Sequence, residues 1–191
     1  NAYSEAFEVP QGVRIFGGWE GTPGTELLTD NANEVYTSTA RNLKDKKARV
    51  ATGTGNIMVS GTGAVLDGFI VSGAGANSTS GLVTVTNADA WANAIEIDDQ
   101  KSIASSYAVS VLGGKATNIL VSRNNKGVFV DTNGKLVNAT IAQNTAASNF
   151  GGTLFNSIYW GNGGTVATAG TIKYCAFQTA DSDMTGMDPE N

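Results

Sequence analysis

The sequence predicts an all-β solenoid, a stack of short strands in which each turn of chain adds one layer. Three observations predict it. A seven-residue pattern recurs: Asp67–Gly68–Phe69–Ile70–Val71–Ser72–Gly73 aligns with Asn118–Ile119–Leu120–Val121–Ser122–Arg123–Asn124. It aligns again with Asn138–Ala139–Thr140–Ile141–Ala142–Gln143–Asn144, with Asn156–Ser157–Ile158–Tyr159–Trp160–Gly161–Asn162, and more faintly with the stretch from Lys173 to Thr179. The last three steps between copies are 20, 18 and 17 residues, one turn of a strand solenoid and too short for a helical hairpin repeat. The third observation is compositional: 24 Gly and only 3 Pro among 191 residues, with many Asn, Thr, Ser, Ala and Val, which favours short strands punctuated by turns.

Taken along the chain, the N-terminal segment places Val13 and Ile15 inward. Leu27 to Val50 is too polar for core and too long for a corner, and reads as a protruding excursion. Ile57–Met58–Val59, a Gly61–Thr62–Gly63 corner and Val65–Leu66 then form two sides of one coil. The same layout returns without a gap at Val128–Phe129–Val130, Thr132–Asn133–Gly134 and Leu136–Val137, and one residue shorter at Val109 and Val111 followed by Gly113–Gly114. Residues 74–107 are less regular. Gly81 to Thr86 and Ile95 to Ile97 read as strands there, enough for at least one further coil with an inserted loop. The chain from 179 to 191 is a polar, acidic tail. The whole is expected to be one domain over 1–191, possible also as a fragment of a longer chain.

Alternation assigns the faces. With the leading Asp or Asn as zero, the residue before it (Leu66, Thr117, Val137, Phe155, Ile172) and the odd positions after it are apolar or small, and are placed inward. That gives Gly68, Ile119, Ala139, Ser157 and Tyr174, then Ile70, Val121, Ile141, Tyr159 and Ala176. The even positions then face outward and are apolar too: Phe69, Leu120, Thr140, Ile158 and Cys175 in one column, and Val71, Ser122, Ala142, Trp160 and Phe177 in the next. Such an outer face is either covered by the chain itself or is a platform for a glycan or partner, centred on Ile158, Trp160 and Phe177. Trp91 and Trp19 sit beside turns, where packing over a corner competes with stacking on a sugar.

Phe7 to Gly21 (Phe-Glu-Val-Pro-Gln-Gly-Val-Arg-Ile-Phe-Gly-Gly-Trp-Glu-Gly), Leu66 to Gly73, Asn138 to Asn144 and Asn156 to Asn162 occur in the order seen in one known group. The chain resembles the secreted right-handed parallel β-helix proteins of Bacteroidetes and related bacteria, pectate-lyase-like in fold and mostly without an assigned activity. The resemblance implies a right-handed parallel β-helix of roughly seven to nine coils and a secreted or cell-surface location. It implies little about function.

Composition narrows the chemistry. There is no histidine, which removes Ser-His-Asp and Cys-His catalysis and imidazole-ligated metals. One cysteine, Cys175, precludes an internal disulfide. The net charge of −5 argues against general affinity for nucleic acid, and no apolar run is long enough to span a membrane. Asn118, Asn138 and Asn156 at one position, and Asn124, Asn144 and Asn162 at another, read as structural amide ladders at turns; the competing reading is a row of amides offered to a sugar. The one dense acidic stretch inside the solenoid is Glu96–Ile97–Asp98–Asp99. Asp98 and Asp99, with Arg123 and Lys115 as bases, are the catalytic candidates, and Glu96, Asp98 and Asp99 the candidate calcium ligands. Three functions follow: a non-catalytic surface protein binding glycan or a protein partner, a polysaccharide lyase or glycoside hydrolase, and a structural spacer. Open strand edges add an expectation of end-to-end self-association.

Overall fold

The computed structural model describes residues 6–18, 48–73, 80–98 and 106–178. Among them the regular structure is entirely strand. The strands are β1 (Phe7–Val9), β2 (Arg14–Phe16), β3 (Ala48–Ala51), β4 (Ile57–Val59), β5 (Val65–Ser72), β6 (Gly81–Val85), β7 (Trp91–Asp98), β8 (Tyr107–Val111) and β9 (Lys115–Ser122). They continue as β10 (Val128–Val130), β11 (Lys135–Ala142), β12 (Asn149–Phe150), β13 (Thr153–Phe155), β14 (Ile158–Trp160), β15 (Ala167–Thr168), β16 (Thr171–Lys173) and β17 (Ala176–Phe177).

Two sheets result, parallel throughout. The 7-stranded sheet runs β1-β4-β6-β8-β10-β12-β15, and the 10-stranded one runs β2-β5-β7-β9-β11-β13-β16 with β3, β14 and β17 beside that path. The chain visits the sheets in turn, so each circuit adds one rung to both. At the end rungs the long strand is split: β2 and β3 both pair with β5, and β13 and β14 both pair with β11. The apolar side chains of both sheets meet in one core, among them Val9, Ile57, Leu66, Ile95, Leu136, Ile141, Phe150 and Leu154. Phe150 stands edge-on to Tyr159 and Phe177, at centroid distances of 5.8 and 6.5 Å.

Each long strand bends at one left-handed residue. Gly68, Ala94, Asn118, Asn138, Asn156 and Tyr174 all have positive φ, between 48° and 83°. Strict alternation fails there, because a left-handed residue resets which side the chain faces. Residues two before the bend and one and three after it point inward; those one and three before it, and two and four after it, point outward. Thr117, Val137 and Phe155 precede the bend and therefore face outward, against the expectation that they are core.

The same bend corrects two of the aligned copies. Register pairs Phe69 with Ile95 and Asp67 with Asn93, and Asn93 in turn with Thr117, so the equivalent of Asn118 is Gly68 and not Asp67. The corner before β5, residues 60–64, is one residue longer than that before β11, residues 131–134, and a gapless alignment hides the difference. At the other end Ser157 lies opposite Cys175, since Ile158 pairs with Ala176 and Tyr159 with Phe177. Phe69, Val71, Cys175 and Phe177 accordingly point inward, while Ile70, Tyr174 and Ala176 point outward. Val13, expected in the core, is 40% exposed; Ile15 packs against the core as expected. Val121, Ile141 and Tyr159 are buried as expected.

The irregular stretches contain more structure than their composition suggests. Val50, the end of the expected excursion, is buried in β3, and the rest of that excursion lies outside the described residues except Ala48 and Arg49. Within 74–107, β6 and β7 form a complete rung, and Tyr107 opens β8. Trp19 and the tail from 179 to 191 lie outside the described residues.

At the corners the backbone of one rung rests directly on the next. A Cβ on Gly152 would lie 2.2 Å from the Asp131 carbonyl oxygen and 2.4 Å from that of Gly134. Gly152→Ala is therefore expected to force two rungs apart at a cost of about 1–3 kcal/mol, read as a lower urea midpoint. An unchanged midpoint would mean that the corner yields without strain.

Candidate ligand-binding face

The outward face of the 10-stranded sheet carries nearly all the side chains singled out by sequence, and the bend sorts them into columns. Before the bend lie Val65, Trp91, Lys115, Lys135, Thr153 and Thr171 in one register, followed nearer the bend by Asp67, Asn93, Thr117, Val137, Phe155 and Lys173. After it come Ile70, Glu96, Leu120, Thr140, Ile158 and Ala176, then Asp98, Ser122, Ala142 and Trp160.

Of the acidic candidates, Asp98 is engaged by residues of the neighbouring rung. Asp98 accepts hydrogen bonds from Ser122 Oγ at 2.6 Å and Arg123 Nε at 2.9 Å, and pairs with the guanidinium through a second nitrogen. A guanidinium held this way donates to a carboxylate and is unsuited to abstract a proton. Arg123 itself occupies a left-handed position, φ 57°, at the turn that ends β9. Glu96 faces outward two residues before Asp98, and Asp99 lies outside the described residues. Among the described residues no three His, Cys, Asp or Glu converge as metal ligands. Millimolar calcium is expected to leave the melting temperature unchanged; a clear rise that Asp98→Asn abolishes would place the ion at the Glu96–Asp99 stretch.

Trp91 is half-buried and fixed by its neighbours. Its indole N–H donates to Thr117 Oγ1 at 2.8 Å, and Thr117 donates to Asn93 Oδ1 at 2.7 Å. Lys115 lies over the ring, with Nζ 4.2 Å from the centroid, a cation–π contact.

Both asparagine rows are hydrogen-bonded ladders. On the outer one Asn156 Nδ2 donates to Asn138 Oδ1 at 2.7 Å and Asn138 to Asn118 at 3.3 Å. Asn118 then donates to Asn93 at 2.8 Å, and Asn93 to the buried Asp67 at 3.0 Å. Every step donates toward the N-terminal end, and the last acceptor is a carboxylate. In the inner row Asn124 and Asn144 are buried and Asn162 is partly so: Asn144 Oδ1 accepts from the Asn124 backbone N–H at 3.0 Å, and Asn162 Oδ1 accepts from that of Asn144 at 3.0 Å. These amides satisfy turn backbone.

Sequence reasoning missed part of the exposed surface and misplaced another part. Phe177, chosen as a ligand contact, packs inward against Tyr159 at 5.5 Å. Cys175 sits in the core-facing column, where burial pushes its thiol up, partly offset by backbone hydrogen bonding with Ser157 and Lys173. Trp160 is where sequence placed it, 53% exposed, with Ile158 at 47%. Beside them stand Phe155 and Tyr174, 38% and 58% exposed, edge-to-face with centroids 4.9 Å apart. Phe155 and Tyr174 were hidden by the assumption of unbroken alternation. No family model, no curated protein and no solved structure matches the chain.

Proposed function

We propose that the protein is a non-catalytic right-handed parallel β-helix of the secreted or cell-surface kind, which binds glycan along the outward face of its longer sheet. The alternation between two parallel sheets supports the fold, and parallel crossovers are right-handed in about 98% of cases. The observation that carries the function is the group Phe155, Ile158, Trp160 and Tyr174, three aromatic side chains and one aliphatic, exposed together on neighbouring rungs. Flat aromatic rings beside polar residues suit the mixed apolar and hydroxyl faces of sugars, and an apolar surface of this kind marks an interaction site. Among the described residues no helix is long and apolar enough to cross a membrane.

Trp160→Ala provides the test. With the side chain half in solvent, its loss should change stability little while weakening glycan binding at least about tenfold, as truncation of an interface anchor does. Glycan arrays followed by calorimetry read the effect. Binding at full strength by the variant would move the site elsewhere. An assay for unsaturated sugar ends separates this reading from a lyase, and failure to bind any glycan would favour a spacer.

A further inference from the structure

Charge on the rungs from β8 onward is distributed unlike that of the chain. The protein carries a net charge of −5, yet from Ser106 to Gln178 it has Lys115, Arg123, Lys126, Lys135 and Lys173 against a single acid, Asp131. Asp131 lies in the corner between β10 and β11, where it accepts from the Thr132 backbone N–H. Of the five cations, Arg123 is paired with Asp98, and Lys126 lies 5.0 Å from the Tyr107 ring centre, at the start of β8 in the other sheet. The remaining three, Lys115, Lys135 and Lys173, are exposed and stand on the outward face of the 10-stranded sheet.

Their placement is specific. Lys115 and Lys135 are directly paired on adjacent rungs, an arrangement of like charges that disfavours the sheet unless something offsets it. Lys115 leans over Trp91. No carboxylate among the described residues pairs with Lys135 or Lys173. Lys173 is the register partner of Phe155, and Lys135 lies one rung away on the other side. Phe155 thus has Lys173 opposite it on the next rung and Lys135 diagonally before it on the previous one, and neither ammonium has a carboxylate partner among the described residues.

We infer that the ligand of this face is an anionic glycan, whose carboxylate or sulfate groups are held by Lys135 and Lys173 while successive sugar rings lie against Phe155 and Trp160. The inference rests on the glycan-binding reading above and deepens it to a ligand class. Lysine is suited to the task as a flexible point charge with three donors. Opposite charge across the interface supplies selection and rate of encounter.

The experiment measures binding of the full chain to three defined probes: a carboxylated glycan without sulfate (hyaluronan), a sulfated one (heparin) and a neutral β-glucan. The expected result is binding to one or both anionic probes and at least tenfold less to the neutral one. Binding should weaken when salt is raised from about 50 to about 300 mM, as screening shortens the reach of exposed charges. The two anionic arms distinguish carboxylate from sulfate as the recognised group. Lys135→Ala with Lys173→Ala should lose about tenfold or more on the anionic probes, and Lys135→Arg with Lys173→Arg should restore most of it. Equal binding to all three probes, unaffected by the lysine changes, would overturn the inference and leave the glycan site standing. Anionic binding that survives both the double lysine and the Trp160→Ala variants would overturn it as general charge attraction. Absence of binding to every probe would overturn both readings. If light scattering then showed a dimer that Trp160→Ala dissociates, the occupant would be a second copy.

Discussion

Ile141→Ala is expected to lower stability by about 2–5 kcal/mol, through lost burial and the cavity left behind. Ile141 is fully buried, three residues past the bend of β11, with Val121 on the rung before it and Tyr159 on the rung after. A core packed from both sides relaxes little, so most of the cavity should persist. Ile172 holds the core-facing place two residues before the bend on the last described rung, with Leu154 behind it. Because a stack of rungs is stabilised mainly by neighbour contacts, Ile172→Ala should cost clearly less. Urea unfolding of the two variants reads the difference. Equal losses would show that the final rung is packed as tightly as a central one.

The repeat, the strand content and the positions of β4, β5, β9, β10 and β11 could be read because apolar residues return at steps set by the rung. Inward positions after the bend were right wherever Asn marks it (Ile119, Val121, Ile141 and Tyr159), whereas Thr117, Val137 and Phe155 just before it were not. Those after it were wrong where the bend carries Gly68 or Tyr174, since neither residue announces a left-handed conformation beside a more conspicuous Asp67 or Lys173. Ala94 hid the bend of the intervening rung in the same way, although its strands at Gly81 to Thr86 and Ile95 to Ile97 were legible. A corner one residue longer also shifts every later face by one position, which turned Phe69 and Val71 outward on paper.

The candidate site shared that fate in part. Trp160 was found because its copy begins with Asn156, and Phe177 was misassigned because its copy does not. Asp98 and Arg123 were correctly brought together from neighbouring repeats. Sequence alone does not show that Ser122 and Arg123 occupy the carboxylate fully, since that depends on the turn at Arg123. The unbalanced lysines were visible as letters. Their gathering on one face required the register.

The two asparagine ladders should respond differently to the same change. Asn144→Ala removes the oxygen that accepts from the Asn124 backbone N–H and from Asn124 Nδ2, at 3.0 and 3.2 Å. It also removes a donor to the Val121 carbonyl at 3.3 Å and another to Asn162 at 2.7 Å. Asn124 and Asn144 are almost wholly buried, 2% and 1% exposed, so water cannot replace these bonds without opening the turn. With each buried group left unmatched worth about 1–3 kcal/mol, the loss is expected to be roughly 2–4 kcal/mol. Asn138→Ala has less to lose. Its amide bonds are at the surface, and alanine already occupies the equivalent left-handed position at Ala94, leaving a conformational cost of about 1–2 kcal/mol. Glycine separates the causes. Asn138→Gly should recover much of the loss because φ of 55° suits glycine, whereas Asn144→Gly should remain as unstable as Asn144→Ala or more so. If Asn144→Ala proved the milder of the two alanine variants, the inner amides would be dispensable and the turn backbone would have to find its partners elsewhere.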